Sequence, residues 1–183
     1  IQNEVNKLKL EGKDNLWNGV SDNTAKMYVM IGIPGSGKST YAEALKGSSS
    51  IRIVSRDTVR AEMGMCGYGE KCIGTPKQED EVTKLMKEKI QDYASNGLSF
   101  IIDNTSLKKK YRKEYFDYVK KYDIVPIYVY VEAPSLEENF RRRDGEIDSS
   151  TIQRMWDGFE FPNRSECYEM WIIDQRAGKV YRL

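Results

Sequence analysis

The chain has 183 residues, of which 39% are hydrophobic and 31% charged, and its formal net charge is +1. This length favours one domain with a proper core over two full-sized ones, and no apolar run approaches the roughly 18 residues that a membrane span requires. The near-neutral charge excludes nucleic-acid binding by overall electrostatics, so any attraction to phosphates would come from local patches.

Histidine is absent from the sequence. Its absence excludes Ser-His and Cys-His catalytic triads and imidazole metal sites, so acid–base chemistry would be carried out by carboxylates. The cysteines, Cys66, Cys72 and Cys167, are odd in number and lack the paired C-x-x-C spacing of a zinc site. We therefore predict reduced thiols and a cytoplasmic protein.

The segment Gly32–Thr40 reads G-I-P-G-S-G-K-S-T and matches the phosphate-binding pattern G-x-x-x-x-G-K-[ST]. A strand predicted over 27–31 precedes it and a helix beginning near Thr40 follows it, which argues against a glycine-rich turn that binds nothing. Glycines let backbone N–H groups turn toward phosphate oxygens, and the helix adds its partial positive end. The sequence predicts a nucleoside triphosphate site with these binding residues: Gly35, Ser36, Gly37, Lys38, which would reach the β- and γ-phosphates, Ser39, which would reach Mg²⁺, and Thr40.

The rest of the chain alternates between predicted strands and helices. In chain order we predict a strand over 51–54, a helix over 57–63 and a glycine-rich mobile loop over 64–74. These are followed by a helix capped by Thr75 and Gln78 and ended by Asn96-Gly97, a strand over 98–103, and a helix whose apolar residues run from Leu107 to Tyr122. The last elements are a strand over 124–131, helices capped by Ser135 and Ser150, a strand over 168–173 and a turn into 180–183. This alternation predicts an α/β fold with a mainly parallel sheet and helices on both faces. Residues 1–26 lie outside it and form an N-terminal extension of unknown role before one domain over 27–183.

Polar residues follow the predicted strands, at the edge where ligands of an open α/β sheet bind. Asp57 follows the second strand and is the predicted general base; the alternative is a helix N-cap flanked by solvated Arg56 and Arg60. Asp103 ends the third predicted strand and is predicted to orient Mg²⁺ together with Ser39, the alternative being a turn-forming aspartate.

Two basic clusters lie further along the chain. Arg141, Arg142 and Arg143 precede Gly145, and we expect one or two of them to face the transferring phosphoryl group from the hinge of a lid. The run Lys108–Lys110, with Arg112 and Lys113, either tracks the phosphates of an acceptor or forms a solvated helix face. Tyrosines at helical spacing nearby are assigned to the core.

Together, G-x-P-G-S-G-K-S-T, S-R-D-x-x-R, I-I-D-N-T-S-L with K-K-x-Y-R, and the arginine-rich lid resemble the polynucleotide 5′-hydroxyl kinase family of P-loop phosphotransferases. The resemblance implies an adenylate-kinase-like P-loop NTPase fold and transfer of phosphate from ATP, with Mg²⁺, to the 5′ end of single-stranded RNA or DNA, an activity of nucleic acid repair. It makes Asp57 the general base, places Arg60 on the acceptor's phosphate, Lys38 and Ser39 on ATP and Mg²⁺, and a lid arginine on the phosphoryl group. Further candidates for acceptor contacts are Arg56, Asp103, Asn104 and Thr105.

Other functions remain open at this stage. A P-loop kinase of a small molecule, such as a sugar, an antibiotic or a nucleotide sugar, has the same core, and a nucleotide-binding module without turnover is a further alternative. A GTPase switch is disfavoured because the D-x-x-G and N-K-x-D elements are absent. The phosphatase motif D-x-D-G-T and the ligase motif K-x-D-G are also absent, so either activity would lie outside this sequence.

Overall fold

The structure is a computed structural model that describes residues 2–11, 21, 23–66, 72–143 and 145–183, with the side chains of 8–11 excepted. The helices are α1 (Gln2–Glu11), α2 (Lys38–Lys46), α3 (Arg56–Glu62), α4 (Pro76–Ser95), α5 (Lys109–Val119), α6 (Leu136–Arg142), α7 (Ser149–Asp157) and a 3₁₀ turn (Arg164–Glu166). The strands are β1 (Ala25–Ile31), β2 (Arg52–Val54), β3 (Phe100–Ile102), β4 (Ile124–Glu132), β5 (Glu169–Asp174) and β6 (Lys179–Arg182). The predicted α/β alternation is confirmed.

Within the described residues the strands form one six-stranded sheet in the order β2-β3-β1-β4-β5-β6. Neighbouring strands are parallel except for β6, which pairs antiparallel with β5 through the predicted turn. The strands β2 and β3, which follow β1 in the chain, lie on one side of β1, and the later strands β4, β5 and β6 lie on its other side. The carboxyl end of β1 is therefore a topological switch point, the usual position of a ligand site in such sheets.

Helices cover both faces of this sheet. On one face, β1 and β4 residues such as Val29 and Tyr128 pack with Val82 and Ile90 of α4 and Val119 of α5. On the other face, alternate residues of the same strands pack with Ala42 of α2. Side chains alternate across a strand, so the central strands are apolar on both faces, and eight of the nine residues of β4 are buried.

The N-terminal segment contributes to this core. Val5 of α1 is 1% exposed and belongs to the larger buried cluster. The sheet begins at Ala25, so the last two residues of the predicted extension belong to β1. Among the described residues, every helix is too short or too polar to traverse a bilayer.

The predicted glycine-rich loop lies partly outside the described residues, since Gly67 and Gly69 fall in the gap from 67 to 71. The prediction of reduced thiols is wrong for two of the three cysteines, because Cys66 and Cys72 are joined by a disulfide. The two Cα atoms lie 6.3 Å apart, within the range for a disulfide. Cys167 is buried and free, and burial raises the pKa of its thiol to about 12.

Helix caps were predicted well where the signal is local. Thr75 and Gln78 form the predicted capping box, with Pro76 in the first turn of α4. At α7 the prediction was wrong, because Asp148 is the N-cap and accepts a hydrogen bond from the amide of Ser150, which is the second helical residue. Both Asp and Ser are good N-caps, so residue type alone could not choose between them.

Candidate active site

The loop after β1 has the backbone that phosphate binding requires. Gly35 and Gly37 have φ angles of 80° and 89°, a region that favours glycine. A Cβ atom on Gly35 would also lie 2.9 Å from the carbonyl oxygen of Asn139. Gly37 is the N-cap of α2 and has no side chain to cap it, so the first amides of α2 are available to an anion.

Side chains from distant segments hold this loop in place. Asn139 of α6 donates its Nδ2 to the carbonyl oxygen of Pro34 at 2.7 Å. Gln175, which follows β5, donates its Nε2 to the carbonyl oxygens of Ser36 at 2.5 Å and Glu132 at 3.0 Å. Neither residue was predicted from the sequence, because an amide side chain 105 or 139 positions away carries no local signal of such a contact.

Two adjoining cavities border the loop. The phosphate cavity has a volume of about 200 Å³ and is lined by Ile33, Pro34, Gly35, Gly37, Lys38, Ser39, Thr40, Arg142 and Arg143. The central cavity has a volume of about 630 Å³ and is lined by Pro34, Lys38, Ser39, Ser55, Asp57, Arg60, Cys72, Ile73, Asp103, Thr105, Arg143, Glu146, Ile147, Asp148, Thr151 and Met155. Pro34, Lys38, Ser39 and Arg143 line both, so the predicted donor site and Asp57 lie on one connected space.

Backbone hydrogen bonds between strand ends bring the polar residues together. The amide of Gly32 donates to the carbonyl oxygen of Thr105 at 3.1 Å. The amide of Asp103 donates to the carbonyl oxygen of Val54 at 2.9 Å. The Nζ atom of Lys38 lies 3.1 Å from Oδ1 of Asp103, and both side chains are largely buried. Lys38 is thus held at the loop by a carboxylate that an incoming polyphosphate would have to replace.

Asp57 lies on the first turn of α3, and its carboxylate faces the central cavity. The N-cap of this helix is Ser55, which accepts from the amide of Thr58 at 3.0 Å, so the N-cap alternative for Asp57 does not hold. Its Oδ1 accepts a hydrogen bond from Nη1 of Arg60 at 2.9 Å, while 59% of the side chain remains exposed. The carboxylate is oriented and still accessible to a substrate.

Glu79 of α4 organises the arginines around Asp57. Arg60 binds it in a fork, with Nε 3.0 Å from Oε1 and Nη2 2.8 Å from Oε2. Nη2 of Arg56 also donates to Oε2 of Glu79 at 2.6 Å, and the amide of Gly74 donates to Oε1 of Glu79 at 2.9 Å. Glu79 was not predicted, because nothing local in the sequence indicates that the first turn of α4 meets α3.

Two of the predicted acceptor residues are turned away from the central cavity. Arg56 bonds to Glu79 and Thr83 of α4, and its amide donates to Oδ1 of Asn104 at 3.0 Å. Asn104 in turn donates to the hydroxyl of Tyr115 at 3.0 Å. Neither Arg56 nor Asn104 is among the described residues that line the cavity, whereas Arg60, Asp103 and Thr105 are. Arg56 and Asn104 join α3, the end of β3 and α5.

The three consecutive arginines divide between two environments. Arg142 donates to the carbonyl oxygen of Gly35 at 3.0 Å and lines the phosphate cavity, and Arg143 lines both cavities. The side chain of Arg141 is 73% exposed and pairs with Glu138 at 2.6 Å. Among the described residues, Arg141 lines neither cavity, as expected for neighbours that cannot share one helix face.

The profile of the AAA domain family matches residues 27–162, which include the loop, Asp57 and the three arginines. The chain belongs to this family. It has the α/β fold of P-loop kinases, with an arginine-bearing segment beside the nucleotide loop. The predicted fold class is therefore confirmed, and the specific acceptor is a separate question.

The proteins that this AAA-domain chain resembles carry names that refer to different acceptors. It is 29% identical over 161 residues to a protein of Autographa californica nuclear polyhedrosis virus named as a bifunctional polynucleotide kinase/RNA ligase, covering 78% of this chain and 22% of that one. Its fold resembles a chain in the Pnkp1/Rnl/Hen1 RNA repair complex, with a TM-score of 0.62, 22% identity, and coverage of 77% and 45%. It also resembles a sugar kinase from Janibacter sp. HTCC2649, with a TM-score of 0.58, 20% identity, and coverage of 84% and 86%. The chain thus spans under half the length of the two polynucleotide-related proteins.

The residues around the loop fit a magnesium ion that is bound together with a nucleotide. The hydroxyl of Ser39 and the carboxylate of Asp103 line the same cavity, and both are the hard oxygen ligands that Mg²⁺ prefers. Among the described residues, no group of three or more Cys, Asp or Glu side chains is arranged to hold a metal.

The pairing of Glu79 leads to a prediction for stability against pH. Hydrogen bonds from Arg60 and then from Arg56 and the Gly74 amide lower the pKa of Glu79 from 4.5 to about 2. A carboxyl whose pKa is lower in the folded state stabilises the fold above its unfolded pKa, and that contribution is lost as the pH falls toward the folded value. We expect Glu79→Gln to lower the free energy of unfolding by about 1–3 kcal/mol at pH 7, measured by urea denaturation.

The same difference should shrink as the pH falls from about 4.5 toward about 2, because Glu79 takes up a proton in the unfolded chain over this range while the folded carboxylate stays ionised until the pH approaches its lowered pKa. Glu88→Gln, on the exposed side of the same helix, is the matched control and should have no effect at any pH. A difference between Glu79→Gln and the parent that is the same at pH 7 and pH 3 would contradict an electrostatic role for Glu79.

Proposed function

We propose that this chain transfers the γ-phosphoryl group of ATP to the 5′-hydroxyl of a polynucleotide, RNA or DNA. The observation that carries the proposal is that Lys38, Ser39, Arg143, Asp57 and Arg60 line one connected cavity. This arrangement places a candidate base, a cation for an acceptor phosphate and a phosphate-binding loop around the same space. The name of the viral relative supports a polynucleotide as the acceptor.

In the proposed reaction, the carboxylate of Asp57 accepts the proton of the 5′-hydroxyl as its oxygen forms a bond to the γ-phosphorus. The bond from that phosphorus to the β–γ bridging oxygen breaks, and ADP leaves. Lys38 leaves Asp103 and donates to the β- and γ-phosphates. Arg143, which lines both cavities, donates to the transferring group, where negative charge spreads in the transition state.

Arg60 has two roles in this proposal. It donates to Asp57 through Nη1 and is held by Glu79 through Nε and Nη2, so its guanidinium has a fixed position at the cavity wall. A fixed guanidinium suits recognition of a phosphate that follows the 5′ nucleoside. Bound Mg²⁺, held by Ser39 and Asp103, would supply positive charge beside the β- and γ-phosphate oxygens.

A kinase of a small molecule is the second candidate. The similarity to a sugar kinase over most of both chains supports it, and a cavity of about 630 Å³ is within the size range of small-molecule sites. The two proposals differ in what the cavity must admit. A polynucleotide acceptor needs an opening through which its second and later nucleotides leave the cavity, whereas a sugar acceptor is enclosed by the cavity walls.

The test is phosphate transfer from γ-labelled ATP, with Mg²⁺, to single-stranded RNA and DNA oligonucleotides that carry a 5′-hydroxyl. We expect label on the 5′ end, and no label on matched oligonucleotides that already carry a 5′-phosphate. Sugars and nucleosides are assayed in parallel. Transfer to a sugar but to no oligonucleotide would replace the proposal by its alternative. Binding of ATP without any labelled product would indicate a nucleotide-binding module.

A further inference from the structure

A third cavity, here called the outer cavity, adjoins the central one. It has a volume of about 300 Å³, and the residues that line it include Thr105, Leu107, Lys108, Tyr111, Arg154 and Met155. Thr105 and Met155 also line the central cavity. The two cavities therefore adjoin at Thr105 and Met155, which is where a linear substrate with its end at Asp57 would cross from one to the other.

The wall of the outer cavity carries an exposed aromatic ring. Tyr111 of α5 is 44% exposed, although its helical spacing with other tyrosines had predicted a core position. The Nζ atom of Lys110 lies 4.8 Å from the centre of its ring, and the neighbouring Leu107 is nearly buried. An exposed aromatic ring that lines a cavity beside an apolar side chain is suited to stacking on a nucleobase.

Cations border the same cavity. Arg154 of α7 is exposed, and Lys108 precedes α5. The Nζ atom of Lys108 lies 3.6 Å from Oε1 of Glu160, and both side chains are about half exposed, so this pair is weak and a phosphate can compete for the lysine. The absence of a side chain at Gly158 leaves room for the ammonium of Lys108, since a Cβ atom there would lie 3.3 Å from Nζ.

We propose that the outer cavity binds the second nucleotide of a single-stranded acceptor, with its base stacked on Tyr111. The phosphate on the 3′ side of this second nucleotide lies between Lys108 and Arg154. This inference rests on the proposed function and defines the path by which the acceptor leaves the central cavity. Stacking on a tyrosine is tolerant of base identity, so the subsite selects for chain length and single-stranded form rather than for sequence.

The test compares acceptors of different length in the full chain. A nucleoside 3′-monophosphate occupies only the central cavity, whereas a short 5′-hydroxyl oligonucleotide reaches Tyr111. We expect Tyr111→Ala to raise the KM for the oligonucleotide about tenfold and to leave kcat and the KM for the nucleoside 3′-monophosphate unchanged. Tyr111→Phe keeps the ring and should behave as the parent. Val180→Ala, another exposed apolar residue, on β6, is the control for a general surface effect.

Charge is tested separately with Arg154→Gln. Loss of one phosphate contact should reduce the slope of log KM against log salt for the oligonucleotide by about 0.7, and leave that for the nucleoside 3′-monophosphate unchanged. If the parent protein labels oligonucleotides and the Tyr111→Ala variant labels them with an unchanged KM, the assignment of the subsite is wrong and the proposed function stands. The exposed ring of Tyr111 then belongs to some other interface. If the parent labels no oligonucleotide of any length, both proposals fail.

Discussion

Replacement of Asp57 by Ala is expected to lower kcat for phosphate transfer about a thousandfold and to leave the affinity for ATP nearly unchanged. General base catalysis by a positioned side chain contributes roughly 10²–10⁴ in rate, and among the described residues Asp57 is the only carboxylate of α3 that lines the central cavity. The phosphate loop and Lys38 remain in place without Asp57, so nucleotide binding persists. Steady-state transfer of label and ATP binding by calorimetry measure the two effects separately.

Asp57→Asn separates the chemical role from a structural one. Asn retains an oxygen that accepts from Nη1 of Arg60, as Oδ1 of Asp57 does at 2.9 Å, but it cannot take up a proton as a carboxylate does. We therefore expect Asp57→Asn to be as inactive as Asp57→Ala while Arg60 stays in position. Glu62→Ala removes another carboxylate of α3, which pairs with Lys89 outside the cavity, and should leave transfer unchanged. Equal loss of ATP affinity and of transfer in the Asp57 variants would refute the assignment of a base.

The features that the sequence predicted correctly are those whose physical cause is local. The glycine loop between a strand and a helix is contained in a few consecutive residues, and the capping box of Thr75 and Gln78 spans a single turn. The order of strands and helices followed from hydrophobic periodicity, and the parallel sheet followed from that order. Once the strands are parallel, Asp57 and Asp103 must lie at the same edge, and this explains why the candidate site could be assembled before its geometry was known.

The interactions that the sequence did not predict join residues far apart in the chain. Glu79 meets Arg60 across 19 positions, and Gln175 meets Ser36 across 139, without any pattern that relates them. Three cysteines allow three different pairs, so the number of cysteines alone does not give the pairing of Cys66 with Cys72. The charge pattern was also misleading, because one arginine in the basic run over 108–113 is not at the surface.

That residue is Arg112, and its removal should have the largest effect on stability among the residues discussed. Arg112 of α5 is 0% exposed, whereas a charge run normally forms a solvated helix face. Its Nε lies 3.1 Å from Oε1 of Glu166, and its Nη1 donates to the carbonyl oxygen of Ser106 at 2.9 Å. Ser106 has a φ angle of 52° in the loop that follows β3 and carries Thr105. Arg112 thus connects α5, the 3₁₀ turn before β5 and the loop beside the active site.

We expect Arg112→Ala to lower the free energy of unfolding by about 3–5 kcal/mol, measured by urea denaturation, because it leaves the carboxylate of Glu166 without its cation at a largely buried position. Glu166→Gln should have a similar cost, since the uncompensated charge is then the guanidinium. The double variant Arg112→Met with Glu166→Leu should cost clearly less than the sum of the single changes, because it leaves no buried charge. Lys113→Ala is the matched control on the same helix; its ammonium is exposed and paired only with Asp117, so the expected change is below about 0.5 kcal/mol. A loss for Arg112→Ala as small as that of the control would show that the guanidinium is solvated after all and that the basic run is one continuous surface.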